Sequence, residues 1–156
     1  MDASTDGSGT VISGGTRTGI GLVAGDIARS SEGAIAAVGY LPTTIPSDVR
    51  PDVDPSRYME IRRTGTSGFS VAEPLAYWTD ILGQGVDPAD VRVLGLGGGC
   101  LAAAEYRMAL ALGASVGILR TSGGEASELL RDPLWGTSPA LIELPAEAEA
   151  IRTFLA

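Results

Sequence analysis

The sequence predicts an α/β fold: a Rossmann-like, doubly wound and mainly parallel sheet flanked by helices. Three observations carry that expectation. Short apolar strand runs alternate with helical runs along the chain. The strand runs lack in/out alternation, as expected of strands buried on both faces. Two strand-to-helix junctions are glycine-rich, Ser13-Gly14-Gly15-Thr16-Arg17-Thr18-Gly19 and Gly97-Gly98-Gly99. That is how such folds bring backbone N–H groups and a helix N-terminus up to an anion. At 156 residues the expectation is a flexible lead-in over 1–8 and one domain over 9–156.

Gly9 to Ser13 reads as a short first strand. The helix that follows, from about Gly19 to Arg29, spaces Ile20, Val23, Ala24, Ile27 and Ala28 as one apolar face. Ala34 to Tyr40 is an unbroken apolar run, a buried strand that ends at Leu41-Pro42. Thr43 to Pro55 holds three prolines and four charges and is expected to be an exposed loop. Tyr58 to Arg63 reads as a strand and Thr64 to Ser70 as a polar turn. A helix then runs to about Leu82, with Pro74 tolerated in its first turn. Arg92 to Leu96 is expected to be the central strand. Leu101–Leu112 (helix), Ser115–Leu119 (strand), Glu125–Arg131 (helix), Leu141–Leu144 (strand) and Glu147–Leu155 (helix) complete the order.

Composition narrows the chemistry. All eleven basic residues are Arg, with no Lys and no His. Phosphate binding by a P-loop lysine, Schiff-base chemistry, Ser-His-Asp or Cys-His catalysis and His-containing zinc sites are therefore excluded; no catalytic or metal-binding residue is assigned. A net charge of −8 argues against nucleic acid or an anionic membrane as partner. No apolar run reaches the ~18–20 residues that span a bilayer, and no signal-peptide pattern is visible. The single cysteine, Cys100, excludes an internal disulfide and fits a reducing compartment, so a cytoplasmic location is expected.

Candidate ligand-binding residues gather after the strands. In the first turn the amides around Ser13, Gly14, Gly15 and Gly19, with the Thr16 hydroxyl, suit a phosphate. Arg17 is either its charge complement or a solvated side chain. Gly97, Gly98 and Gly99 exceed what close helix packing requires. Glu105 fits either a ribose-hydroxyl acceptor or a structural partner of Arg107 or another basic residue; Glu73 and Asp26 are weaker candidates of that kind. Tyr40 would either stack on a base or pack in the core. Arg63 with the Thr64–Ser70 turn, and Ser122 and Gly123 with Gly124, leave strands at the same edge and fit ligand contacts or plain loops. Trp78, Trp135 and Phe69 read as core or subunit-interface anchors, and Cys100 as a packed thiol.

These residues resemble the SLOG superfamily, the Rossmann-like group that includes LONELY GUY phosphoribohydrolases, DprA-type proteins and sensor domains of melastatin-type TRP channels and TIR-linked bacterial defence systems such as Thoeris. The resemblance is carried by Ser13-Gly14-Gly15-Thr16 with Gly19, by Arg63-Thr64-Gly65 through Glu73-Pro74-Leu75 with Trp78, and by Gly97-Gly98-Gly99 with Glu105-Tyr106-Arg107. Ala109-Leu110, Leu112-Gly113-Ala114, Ser122-Gly123 and Asp132-Pro133-Leu134-Trp135 extend it from Gly9 over nearly the whole chain. The LONELY GUY motif P-G-G-x-G-T-x-x-E is kept here as Gly98, Gly99 and Glu105. Gly97, Leu101 and Ala102 replace its proline, its third glycine and its threonine, which puts hydrolysis in doubt.

The resemblance therefore implies a sensor rather than an enzyme. It would need no cofactor and would bind an ADP-ribose-type nucleotide, such as a cyclic ADP-ribose isomer made from NAD by a TIR enzyme. It would work as a homo-oligomer and relay binding to a fused or partner effector; the short first strand and scant flanks suggest, as an expectation, a piece cut from a longer chain. The alternatives are a nucleoside-monophosphate phosphoribohydrolase and an oligomerisation module with a vestigial pocket.

Overall fold

The computed structural model describes residues 8–17 and 19–156. The expected lead-in lies, apart from Ser8, outside them. Every strand and helix read from the sequence is present, in the order β1 (Gly9–Ser13), α1 (Gly19–Ser30), β2 (Ile35–Leu41), β3 (Glu60–Arg63), α2 (Ala72–Gly83), β4 (Arg92–Gly95), α3 (Cys100–Leu112), β5 (Ser115–Leu119), α4 (Gly124–Arg131), β6 (Leu141–Leu144) and α5 (Ala148–Leu155). The strands form two three-stranded sheets, β1-β2-β3 and β4-β5-β6, and every pairing is parallel. The class is thus α/β and Rossmann-like. β5 is the middle strand of its sheet, not β4 as expected; the apolarity of a run reports its burial, not its place in the strand order. Among the described residues no helix is long and apolar enough to cross a membrane.

Contacts divide the chain into two compact units, one ending at Trp78 and the other beginning at Thr79. In the first, β2 is the core, with Ala37, Val38, Tyr40 and Leu41 buried. The contact face of α1 differs from the expected one: Val23 and Ile27 are 46% and 37% exposed, and the buried positions are Gly21, Ala24 and Gly25. The reason is steric. A Cβ on Gly21 would lie 2.2 Å from the Thr16 carbonyl oxygen, and one on Gly25 would lie 2.8 Å from Arg57 Nε. The helix approaches through its backbone, which a count of apolar side chains does not register.

In the second unit β5 is buried on both faces. Val116 and Ile118 are fully buried, and added Cβ atoms show what covers each side. One on Gly95 would meet Ile118 and the Tyr106 ring of α3, and one on Gly117 would meet Leu144 and Phe154 of α5. Gly95 is in register with Ile118, and Gly117 is its neighbour along β5, so they point to opposite faces. Helices thus cover this sheet from both sides, as in a doubly wound fold. α3 ends at Gly113, which is left-handed at φ +99° and whose N–H reaches the Ala109 and Leu110 carbonyls.

Candidate functional site

In parallel sheets the carboxyl ends of the strands carry the turns that meet ligands. The sequence-predicted residues fall into two groups at such ends. Ser13–Arg17, Gly19, Tyr40 and Arg63 belong to the first unit; Gly97–Gly99, Glu105, Ser122 and Gly123 belong to the second.

The second glycine turn joins β4 to α3. Gly97 and Gly98 have φ of +60° and +88°. A Cβ on Gly98 would lie 2.4 Å from that of Ala102, so backbone and packing require both glycines. The Gly97 carbonyl accepts from Ala126 N–H (3.0 Å) and the Gly98 carbonyl from Glu125 N–H (3.1 Å). These bonds cap α4. They also orient the turn, because a planar trans peptide holds its N–H opposite its C=O. The N–H groups of Gly98 and Gly99 therefore point away from α4. α3 then begins at Gly99 with no side-chain cap and no acidic residue in its first turn, leaving its first amides without an intrahelical acceptor.

Gly99 differs from its two predecessors. Its φ is −109°, and an added Cβ would meet nothing within 4 Å. The fold does not require a glycine there.

Tyr106 supports this turn from below. Its buried hydroxyl donates to the Gly97 carbonyl (3.4 Å). Burial, reinforced by the Glu105 charge and only partly offset by a hydrogen bond from Leu96 N–H, pushes its pKa up to about 12. Glu105 is half-buried in the second turn of α3. Arg107 bonds to the Ala103 carbonyl and to Asp132 (3.4 Å). Ser122 donates its hydroxyl to the Leu119 carbonyl (2.8 Å), and Gly123, at φ +68°, is the N-cap of α4. Cys100 is exposed rather than packed. At the first position of α3 its Cβ leans toward the N-terminal end of the helix, beside the open space over Gly99.

The first turn is more self-contained. Ser13 is buried, its hydroxyl 3.1 Å from that of Tyr58, and it accepts from Gly15 N–H at 3.4 Å. Gly15 has φ +69°, and its Cβ would strike Leu41. Gly14, like Gly99, has open space where a Cβ would sit. Arg17 N–H donates to the Asp52 carbonyl at 2.5 Å, and Thr16 pairs with Val53 in an antiparallel bridge. Gly19 opens α1.

Tyr40 takes the packing alternative. It is 2% exposed, accepts from Arg62 (3.0 Å) and meets the Tyr77 ring edge-on. Arg63 donates to the Pro42 carbonyl. Asp26 pairs with Arg57. Glu73 is 6% exposed and closes the Thr64–Ser70 turn, accepting from Thr64 (2.5 Å), Thr66 (3.1 Å) and Ser70 N–H (2.7 Å). Burial alone would raise its pKa, but those hydrogen bonds outweigh burial and hold it below the ordinary value. Trp78 is core, as expected, while Phe69 and Trp135 are half-buried.

The sequence reading passed over two structural residues in the first unit. Tyr58 donates to the Gly21 carbonyl (2.9 Å) and thereby ties Ser13 to α1. Arg57, 9% exposed, bonds to the Leu22 carbonyl. Their partners lie 31 to 45 residues away, so no local spacing announces them.

Fold and turns together define a Rossmann-like α/β chain with two glycine turns of unlike character: one whose Gly15 and Arg17 amides are engaged, the other with its Gly98 and Gly99 amides turned away from α4. Compared with known proteins, the chain matches no protein-family model and no curated sequence.

Proposed function

We propose that the chain is a ligand-sensing domain that binds an NAD-derived nucleotide, ADP-ribose or a cyclic ADP-ribose isomer, and relays its presence to an effector, as in TIR-linked antiphage signalling. The observation that carries the reading is the turn at Gly97–Gly99. The Gly97 and Gly98 carbonyls are committed to α4, the Gly98 and Gly99 amides face the other way, the helix behind them has no side-chain cap, and Gly99 is a glycine the fold does not demand. Such a nest of N–H groups at a helix N-terminus suits a phosphate. Glu105, in the second turn of α3, is the acceptor assigned to ribose hydroxyls. The SLOG resemblance supplies the ligand class.

Binding without hydrolysis is favoured over the phosphoribohydrolase reading by two departures from the hydrolase motif. Leu101 stands where a third glycine would admit the phosphate, and Ala102 where a threonine would donate a hydroxyl. A thermal-shift panel of ADP-ribose, cyclic ADP-ribose isomers, NAD and AMP, with chromatography of each incubated ligand, tests the proposal. The expected result is a selective rise in Tm with ADP-ribose-type ligands recovered intact; a ligand at about 100 times its Kd adds ~2.7 kcal/mol. Free adenine released from AMP would make the chain a hydrolase, and no shift with any nucleotide would overturn both readings.

A further inference from the structure

The loop between β2 and β3 is fastened at both ends. Near its start Thr44 N–H bonds to the Thr66 carbonyl. At its end Arg57 is buried against α1, bonded to Leu22 and Asp26. Between these anchors the loop crosses the first glycine turn. The Asp52 carbonyl takes the Arg17 amide at 2.5 Å, Val53 pairs with Thr16, and the Arg17 charge acts on the Asp54 carboxylate. Asp52 and Val53 are themselves half-buried. The Asp52 carbonyl thus occupies the Arg17 amide, a donor that an anion at this turn would use.

We infer that residues 49–54 form an autoinhibitory strap over the first glycine turn, which a phosphate-bearing ligand displaces to reach the Arg17 amide. The inference rests on the nucleotide reading above and adds a regulatory step to it. A strap that is closed most of the time lowers apparent affinity by the open fraction. Loosening the latch therefore tightens binding without adding any contact to ligand. Val53 serves for this, because it sits opposite Thr16 in the backbone bridge, where glycine frees the loop backbone, and its side chain carries no donor for a ligand.

Two measurements on the full chain test the strap: hydrogen exchange of residues 49–57 with and without ADP-ribose, and ADP-ribose affinity of wild type and Val53→Gly by calorimetry. The Asp52 and Val53 amides bond within the loop, to the Val49 and Arg50 carbonyls, in turns that the fastened loop holds together. The expected results are faster exchange of these amides on binding, as the displaced loop loosens, and an affinity at least about threefold higher in Val53→Gly. Binding by Val53→Gly alone would also support the strap. Wild-type binding with unchanged exchange in 49–57 would overturn the strap and leave the nucleotide reading standing, even if Val53→Gly failed to fold. No binding by wild type or by a folded Val53→Gly would overturn both.

Discussion

Replacing Gly99 with Ser should stabilise the protein and weaken nucleotide binding. Gly99 is the N-cap of α3, at φ −109° and ψ −158°, with no side-chain cap and nothing within 4 Å of an added Cβ. Serine tolerates that backbone, and its hydroxyl can accept from the Leu101 or Ala102 amide. The cap adds a few tenths of a kcal/mol relative to glycine. Restricting the unfolded chain adds about 0.4–1 kcal/mol. The sum, about 1 kcal/mol, corresponds to a Tm rise of roughly 2–4 °C for a chain of this size. The same hydroxyl competes for the amides assigned to phosphate, and the new Cβ occupies the approach. ADP-ribose affinity should fall at least about tenfold, or ~1.4 kcal/mol. Scanning fluorimetry without ligand and calorimetry with it measure the two effects on one preparation. A higher Tm with unchanged affinity would refute the assignment of the phosphate to this helix end.

Gly98→Ala should behave in the opposite way. With φ +88° and a Cβ 2.4 Å from that of Ala102, it should cost about 2–4 kcal/mol through left-handed strain and overpacking, visible in urea melts. Glu73→Gln should remove a pH-dependent stabilisation. Because the folded pKa of Glu73 is lowered, its contribution is present above the ordinary value of 4.5 and is lost as the pH falls through the folded pKa. The wild-type advantage should thus shrink between pH 7 and strongly acidic melts. Tyr106 has the converse dependence. Its raised pKa of about 12 means that its phenol favours the folded state up to the ordinary value near 10, losing that contribution as pH rises toward 12, and Tyr106→Phe should flatten the alkaline limb of the stability profile.

The sequence disclosed the elements better than their faces. β1, β5 and β6 have the predicted limits because each is a short run with adjacent apolar or β-branched residues set between turn residues. The Ser70-x-x-Glu73 spacing is a legible helix-start signal, and of the two roles open to Glu73, ligand acceptor or structural partner, the structure shows the structural one. What stayed hidden depends on groups without hydrophobic signatures. The seating of α1 is set by two glycines, and the first turn is held by Tyr58 and by a carbonyl at Asp52, all through long-range bonds. Tyr40 looked available because its strand was expected to end there; the strand continues to Leu41, and the ring packs. Cys100 reads as a packed thiol because the chain has no His or Lys to activate it, but its place at a helix start leaves it exposed.

The peptide planes of the second glycine turn have two ends. Each plane that presents an amide outward at Gly98 or Gly99 grips the first turn of α4 with its carbonyl. Such a plane rotates as a rigid plate, so any tilt imposed on the amide side swings the oxygen through the same angle. The movement reaches Glu125 and Ala126 without an intervening side chain, and the loop and the start of α4 form a single lever whose fulcrum is the backbone between Gly97 and Gly99.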